Sequence, residues 1–125
     1  HLALISSVAG YRGLPRSLAY GPSKAALINF SESVRPDLEK FNIGLTVINP
    51  GFVDTEMTRR NDFPMPWIMT PEKACNLIIK GLKKGKFEIA FPWQMVALLK
   101  FARILPYPLY FWFIRIFFSN KRQVQ

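Results

Sequence analysis

The stretch Leu45-Thr46-Val47-Ile48-Asn49-Pro50-Gly51 reads as a strand and its stop. Thr46, Val47 and Ile48 are β-branched and suit a pleated surface. Asn49-Pro50-Gly51 ends the run abruptly, since Pro cannot donate to a ladder and Gly frees the chain to turn. Upstream, between Tyr20 and Lys40, the hydrophobic period changes to that of a helix. Ala25, Leu27, Ile28, Phe30, Val34 and Leu38 form an apolar stripe with charge on the other side. Pro36 is expected to kink this helix or restart a turn, and Asn42-Ile43-Gly44 to end it. Ala9 to Ser17 holds Gly10, Gly13 and Pro15 and reads as a loop. Before it, Leu2–Ser6 is apolar and too short for a helix, so it is expected to be a buried parallel strand.

Downstream, residues 54–69 lack periodicity and contain Pro64 and Pro66, the mark of a long loop of the kind that serves as a lid or binding loop. Thr70-Pro71-Glu72 is a helix start: Thr caps, Pro takes the first helical position, and Glu meets the positive end of the dipole. Ala74, Leu77, Ile78 and Leu82 make its apolar stripe, Gly85 stops it, and Phe87–Phe91 reads as a third strand. Strand, helix, strand, helix, strand implies an α/β fold with right-handed crossovers and a parallel sheet. Three parallel strands need cover on both faces, which the chain is not expected to supply alone.

The charge is uneven. Seventeen Lys and Arg stand against eight Asp and Glu, a formal net charge of +9. Residues 1–72 are neutral, with seven of each sign. Residues 73–125 carry ten basic groups and one acid, Glu88, and eleven of the eighteen aromatics lie between Phe87 and Phe118. The single Cys, Cys75, and single His, His1, exclude an internal disulfide, a Cys-based zinc site, a two-His metal site and a His-dependent triad within these residues. No metal site is expected. Catalysis here must use Tyr, Lys, Ser or carboxylates. A chain that opens with His1 directly on an apolar strand, with no signal peptide visible, is expected to be part of a longer protein.

Such a set stands in fixed order: Ser7, then Tyr20, then Lys24 four residues on. The last spacing puts both side chains on one helical face, one turn apart. A phenol with a pKa near ~10 is a poor acid–base group at neutral pH, and a neighbouring ammonium favours its ionised form. A nearby Ser hydroxyl can hydrogen-bond a substrate oxygen. The three together suit proton transfer to or from an alcohol or carbonyl without His or metal.

Three segments carry a resemblance: Ile5-Ser6-Ser7-Val8-Ala9-Gly10, Tyr20-Gly21-Pro22-Ser23-Lys24-Ala25-Ala26, and Asn49-Pro50-Gly51-Phe52-Val53-Asp54-Thr55. In this order and spacing they resemble the short-chain dehydrogenase/reductase family over residues 1 to about 91. The resemblance implies a Rossmann-type, doubly wound parallel sheet, of which this chain would be the C-terminal half. It further implies NAD or NADP as cofactor and roles for six residues beside Ser7. Tyr20 would be the general acid or base and would also contact the cofactor. Lys24 would hold the nicotinamide ribose and favour the Tyr20 phenolate. Pro50 and Gly51 would shape the turn beside the nicotinamide, the Val53 backbone would meet the carboxamide, and Thr55 would hydrogen-bond the cofactor. Pro22 departs from a small residue common in the family, at a position where its missing N–H is orphaned anyway. No G-x-x-x-G-x-G occurs in the 125 residues, so the phosphate-gripping turn that the family implies would lie upstream.

Residues 92–118 mix aromatics and cations. Lys100, Arg103 and Arg115 interrupt the apolar run, and Pro106 and Pro108 break it. Two short helices are therefore expected rather than a membrane span, either touching an anionic membrane surface or packing on the body as a lid or dimer contact. Nucleic acid is not expected, as the charges interleave with apolar surface and no recognition motif is present. The reading divides the chain into residues 1–91, a half Rossmann domain, and 92–125, a basic aromatic helical extension. It describes a cytoplasmic NAD(P)-dependent oxidoreductase, peripheral on the inner face of the membrane, interconverting a secondary alcohol and a ketone. Met57, Phe63, Met65 and Trp67 suggest a small hydrophobic substrate, and a homo-oligomer is expected at full length. The alternative is a truncated, inactive or membrane-surface binding module lacking the cofactor-gripping half.

Overall fold

The computed structural model describes residues 1–119. It contains a parallel three-stranded sheet in the order β1 (Leu2–Ile5), β2 (Leu45–Pro50), β3 (Glu88–Phe91). Leu2 pairs with Leu45 and Ile5 with Ile48; on the other side Val47 pairs with Glu88 and Pro50 with Phe91. Helices α1 (Tyr20–Lys40), α2 (Glu56–Arg59), α3 (Pro71–Lys83), α4 (Trp93–Ile104) and α5 (Tyr107–Ser119) connect and follow the strands.

β2 is the centre. Leu45 through Asn49 are all buried, five positions in a row, as a parallel strand covered on both faces requires. Side chains alternate across it. Val47 packs with Val8, Tyr11, Ile28 of α1 and Met95 of α4. Ile48 packs on the opposite face with Ile89, Phe91 and Ala74 of α3. Helices on both faces of a parallel sheet make this an α/β, Rossmann-type doubly wound arrangement.

Several expectations change. β1 is not buried: Leu2 is 39% and Ile5 62% exposed, because within this chain it has a neighbour on one side only. It also stops at Ile5, and a 3₁₀ turn over Val8–Gly10 follows. α1 runs through Pro36 as one helix rather than restarting. Its apolar stripe is only partly used: Ile28 is buried, Phe30 is half exposed, and the small residue Ser31 takes the innermost place with its hydroxyl on the Leu27 carbonyl (2.7 Å). The 54–69 loop contains one turn of helix, α2, capped by a reciprocal Thr55–Thr58 box. Thr58 stands where Glu or Gln usually marks the third helical position, so the sequence carries only a weak signal of this box.

The stops and starts elsewhere are local chemistry. Thr70 Oγ1 accepts from Lys73 N (3.4 Å), with Pro71 at the first position of α3. Gly85 adopts φ +62°, which closes the helix. At α1 the cap comes from Ser17, whose hydroxyl accepts from Gly21 N at 2.9 Å. Pro22 then falls in the first turn, where its missing donor costs nothing. The expected Pro-Tyr-Pro break separates α4 from α5, and the boundary drawn after Phe91 falls between β3 and α4. No helix among the described residues is long and apolar enough to cross a membrane.

Candidate active site

Ser7, Tyr20, Lys24 and the Pro50–Thr55 turn gather around the C-terminal ends of β1 and β2. Ser7 caps the 3₁₀ turn, its Oγ accepting from Ala9 N (3.1 Å) and donating to the Pro50 carbonyl (3.3 Å). It thereby ties the end of one strand to the end of the next. Gly10 lets that turn lie directly on α1: a Cβ there would stand 2.7 Å from the Lys24 carbonyl carbon and 2.8 Å from Ala25 N. Those are backbone atoms, so only Gly fits. Ser6 Oγ donates to the Lys24 carbonyl (2.8 Å) and fixes the same contact from the other side.

Tyr20 and Lys24 sit one helical turn apart. Tyr20 is 47% exposed, so its phenol is open to a ligand. Lys24 Nζ lies 5.6 Å from the centroid of that ring and donates to the Ile5 carbonyl at 3.2 Å. The ammonium is thus held between the end of β1 and the phenol.

The Pro50–Thr55 turn is built by neighbours from distant parts of the chain. Gly51 N donates to the Phe91 carbonyl (2.6 Å), and a Cβ on Gly51 would meet Pro92 Cδ at 2.8 Å and Met95 Sδ at 2.9 Å. Val53 forms a parallel bridge with Met69: Met69 N donates to the Phe52 carbonyl (2.9 Å) and Asp54 N to the Met69 carbonyl (2.8 Å). In such a bridge the central residue's own N–H and C=O face away from the partner. The Val53 carbonyl accepts from Thr58 Oγ1 at 2.6 Å, and its N–H faces the same side, turned from Met69. With the Thr58 proton on Val53, Thr55 is the donor in the 3.4 Å contact between the two hydroxyls, a long bond that it can exchange for a ligand.

Lys24 ammonium, Val53 N–H and Thr55 hydroxyl form a donor set that fits ribose hydroxyls and a carboxamide. These residues suit the nicotinamide half of a dinucleotide. Donors for a pyrophosphate are not among them.

A second polar cluster, joining residues far apart in the chain, involves Tyr11, Asn49, Glu88 and Lys100. Tyr11 donates its hydroxyl to Glu88, and Lys100 of α4 makes an ion pair with the same carboxylate. Asn49 donates from Nδ2 to Glu88 Oε1 (3.0 Å) and to the Tyr11 oxygen (3.2 Å), while its buried Oδ1 has no hydrogen-bond partner among the described residues. Burial works against the Glu88 carboxylate. Hydrogen bonds from Lys100, Tyr11 and Asn49, together with the Lys100 charge, outweigh it and hold the carboxyl below its ordinary range. Burial first, then the bond to Glu88 and the charge of Glu88, push the Tyr11 phenol upward; Asn49 and Arg103 oppose the rise. The isolated acid Glu88 in a basic half of the chain was the one visible signal of this cluster.

The fold is a parallel sheet wound on both faces, with the candidates Ser7 and Lys24 at the C-terminal ends of its strands. The short chain dehydrogenase family model matches residues 1–64, and the chain belongs to that family. It is 46% identical over 110 residues to an uncharacterized oxidoreductase of Myxococcus xanthus, covering 88% of this chain and 44% of that protein. It is 32% identical over 105 residues to an uncharacterized oxidoreductase of Mycobacterium tuberculosis, covering 84% and 42%. Among solved structures, the Pseudomonas aeruginosa RhlG/NADP active-site complex matches with 30% identity and a TM-score of 0.44, over 81% of this chain and 36% of that one. The chain thus spans less than half the length of these relatives.

Proposed function

We propose that the whole protein is an NAD(P)-dependent oxidoreductase interconverting a secondary alcohol and a ketone. The observation that supports this reading is that Lys24, one turn from Tyr20, reaches the end of β1, and Ser7, two residues after that end, joins it to Pro50 of β2. When bound, the nicotinamide would supply or accept the hydride. Tyr20 holds the proton at its phenolic oxygen, giving it to a carbonyl oxygen or taking it from an alcohol. Lys24 binds the ribose hydroxyls from its place one turn along the helix. Ser7 would orient the substrate oxygen by turning its proton from the Pro50 carbonyl, a long 3.3 Å bond, toward it, and Val53 N–H with the Thr55 hydroxyl holds the carboxamide end. Pro50 and Gly51 keep the turn close to the sheet. Turnover of hydrophobic ketones by the full-length protein, followed through loss of NADH or NADPH, tests the reading; inactivity with both cofactors across such a panel would refute it. The half-exposed Phe63 and Trp67 and the exposed Met57, on the loop leading from Thr55, support a hydrophobic substrate.

These 125 residues alone are expected to bind the dinucleotide weakly, because the pyrophosphate carries most of the ligand's charge and its glycine-rich partner is not in this sequence. Calorimetric titration of the 125-residue chain with NADH and NADPH checks this, and a micromolar Kd for either would overturn it. Weak binding by the full-length protein as well would favour the alternative, a non-catalytic binding module.

A membrane-surface role is supported by a separate observation. α5 exposes Phe111, Trp112, Ile116 and Phe117 and carries Arg115 and no acid. Aromatic and cationic groups on one short helix suit an anionic interface. The full-length protein is expected to co-sediment with phosphatidylserine-containing liposomes at low salt and to be released at high salt. Absence of binding at low salt removes this reading.

A further inference from the structure

We propose that Arg12 is a positioning residue for the reaction: it clamps the α4–α5 hairpin onto the loop between Ser7 and Tyr20 and so sets the geometry of that pair. The proposal rests on the oxidoreductase reading above. Arg12 lies five residues after Ser7 and eight before Tyr20. Its guanidinium donates from Nη1 to the Arg103 carbonyl (3.2 Å) and from Nη2 to the Leu105 carbonyl (3.2 Å). Those carbonyls belong to the last turn and C-cap of α4, where the helix has acceptors to spare and favours a cation. The same guanidinium stacks 4.3 Å from the centroid of the Tyr110 ring and 4.9 Å from that of Tyr107, both on α5. One side chain thus holds the end of α4, the turn after it and the start of α5.

Neighbouring contacts make this a fixed joint. Tyr110 is 3% exposed and donates its hydroxyl to the Gly13 carbonyl. Tyr11 donates to Glu88, which pairs with Lys100 of α4, and Lys100 Nζ lies 5.4 Å from the Tyr11 ring. Three consecutive residues, 11 to 13, are therefore anchored on the hairpin. At its other end α4 abuts the cofactor-side turn, with Pro92 and Met95 filling the space beside Gly51. α4 is a strut. One end bears on the Pro50–Gly51 turn and the other on the loop that carries Ser7 into Tyr20, so its seating acts on both halves of the site in addition to the direct Ser7–Pro50 tie. A misplacement of about 1 Å at such a site can cost on the order of a hundredfold in rate.

The test is Arg12→Ala in the full-length protein, with kcat, cofactor Kd, thermal midpoint and amide exchange of residues 8–19 measured together. The expected result is a fall in kcat of about tenfold or more, an unchanged cofactor Kd, and faster exchange over 8–19. Millimolar guanidinium should restore part of kcat by refilling the space between the two tyrosine rings. If Arg12→Ala does not fold, Arg12→Lys serves, since it keeps the charge but cannot reach two carbonyls and stack at once; kcat should again fall with Kd unchanged. Unchanged kcat overturns the proposal. So does a loss of kcat that tracks the thermal midpoint and cofactor Kd without guanidinium rescue, which would mark a purely structural residue. If the unsubstituted protein turns over no alcohol or ketone, the oxidoreductase reading fails and the proposal falls with it. Active wild type with a silent Arg12→Ala defeats the positioning role alone.

Discussion

Tyr20→Phe in the full-length protein is expected to lower kcat by about 10²–10⁴-fold, the usual contribution of a positioned general acid or base. The change removes one oxygen and keeps the ring. Tyr20 is half exposed at the first position of α1, so neither the helix nor the core loses packing. Its hydroxyl makes no hydrogen bond among the described residues, and the α1 start is capped independently by Ser17. Lys24 stays on the Ile5 carbonyl, so the cation proposed to bind the ribose is kept and cofactor Kd should be unchanged. The kinetic signature is a loss of kcat and kcat/KM together, as for an interaction made only in the transition state. Steady-state kinetics with a fluorescence titration of NADPH separates the two effects. Retention of wild-type turnover would refute the proton-transfer role of Tyr20.

Glu88→Ala should be the most damaging single change to stability among the polar groups described. It strips Lys100 of its carboxylate and leaves the Tyr11 hydroxyl and the Asn49 amide, both buried, without their shared acceptor. Breaking a buried pair costs about 3–5 kcal/mol. Here the Lys100 side chain is 46% and the Glu88 side chain 27% exposed, so water screens part of the interaction, and about 1–3 kcal/mol is the expected loss. The thermal midpoint should drop by several degrees, at roughly 2–8 °C per kcal/mol.

The pH dependence has a definite sign on each side. The Glu88 carboxyl is held below its ordinary value of 4.5, so its contribution is fully present above that value and is lost as pH falls through the lower folded value. The Tyr11 phenol is raised above its ordinary value of 10.0, so its contribution is intact below pH 10 and is lost as pH rises beyond it. Scanning calorimetry across pH should show both limbs. Glu88→Gln should flatten the acid limb and Tyr11→Phe the alkaline one. A wild-type acid limb identical to that of Glu88→Gln would show that the carboxylate network contributes no stability.

Much of the site could be read from the chain because its signals are local. Tyr20 and Lys24 face the same way by helical spacing alone. Thr70 and Pro71 start α3, and Gly85 stops it, through hydrogen bonds spanning three or four residues. Ser7 and Pro50 fall at strand ends because the apolar runs stop there. The surrounding geometry was not legible in this way. The exposure of β1 depends on which strand lies beside it, and the half-exposed Phe30 on what α1 meets. Neither neighbour is encoded in a window of the sequence.

The sequence by itself determined the α/β order of elements, the central strand, and the catalytic candidates Ser7, Tyr20 and Lys24, since each rests on periodicity, capping or a short motif. Only the tertiary structure decided what Tyr11, Arg12, Glu88 and Lys100 do. Tyr11 and Glu88 are 77 residues apart, and Tyr110 and Gly13 are 97. Contacts at such separations are set by how helices seat on a sheet, which depends on the summed packing of both faces. A basic, aromatic C-terminal stretch reads as a surface in isolation. Folded, its first helix seats one face on the sheet, because Met95 packs against Val47 and Lys100 pairs with Glu88, while Trp93, Phe101 and Ile104 stay exposed.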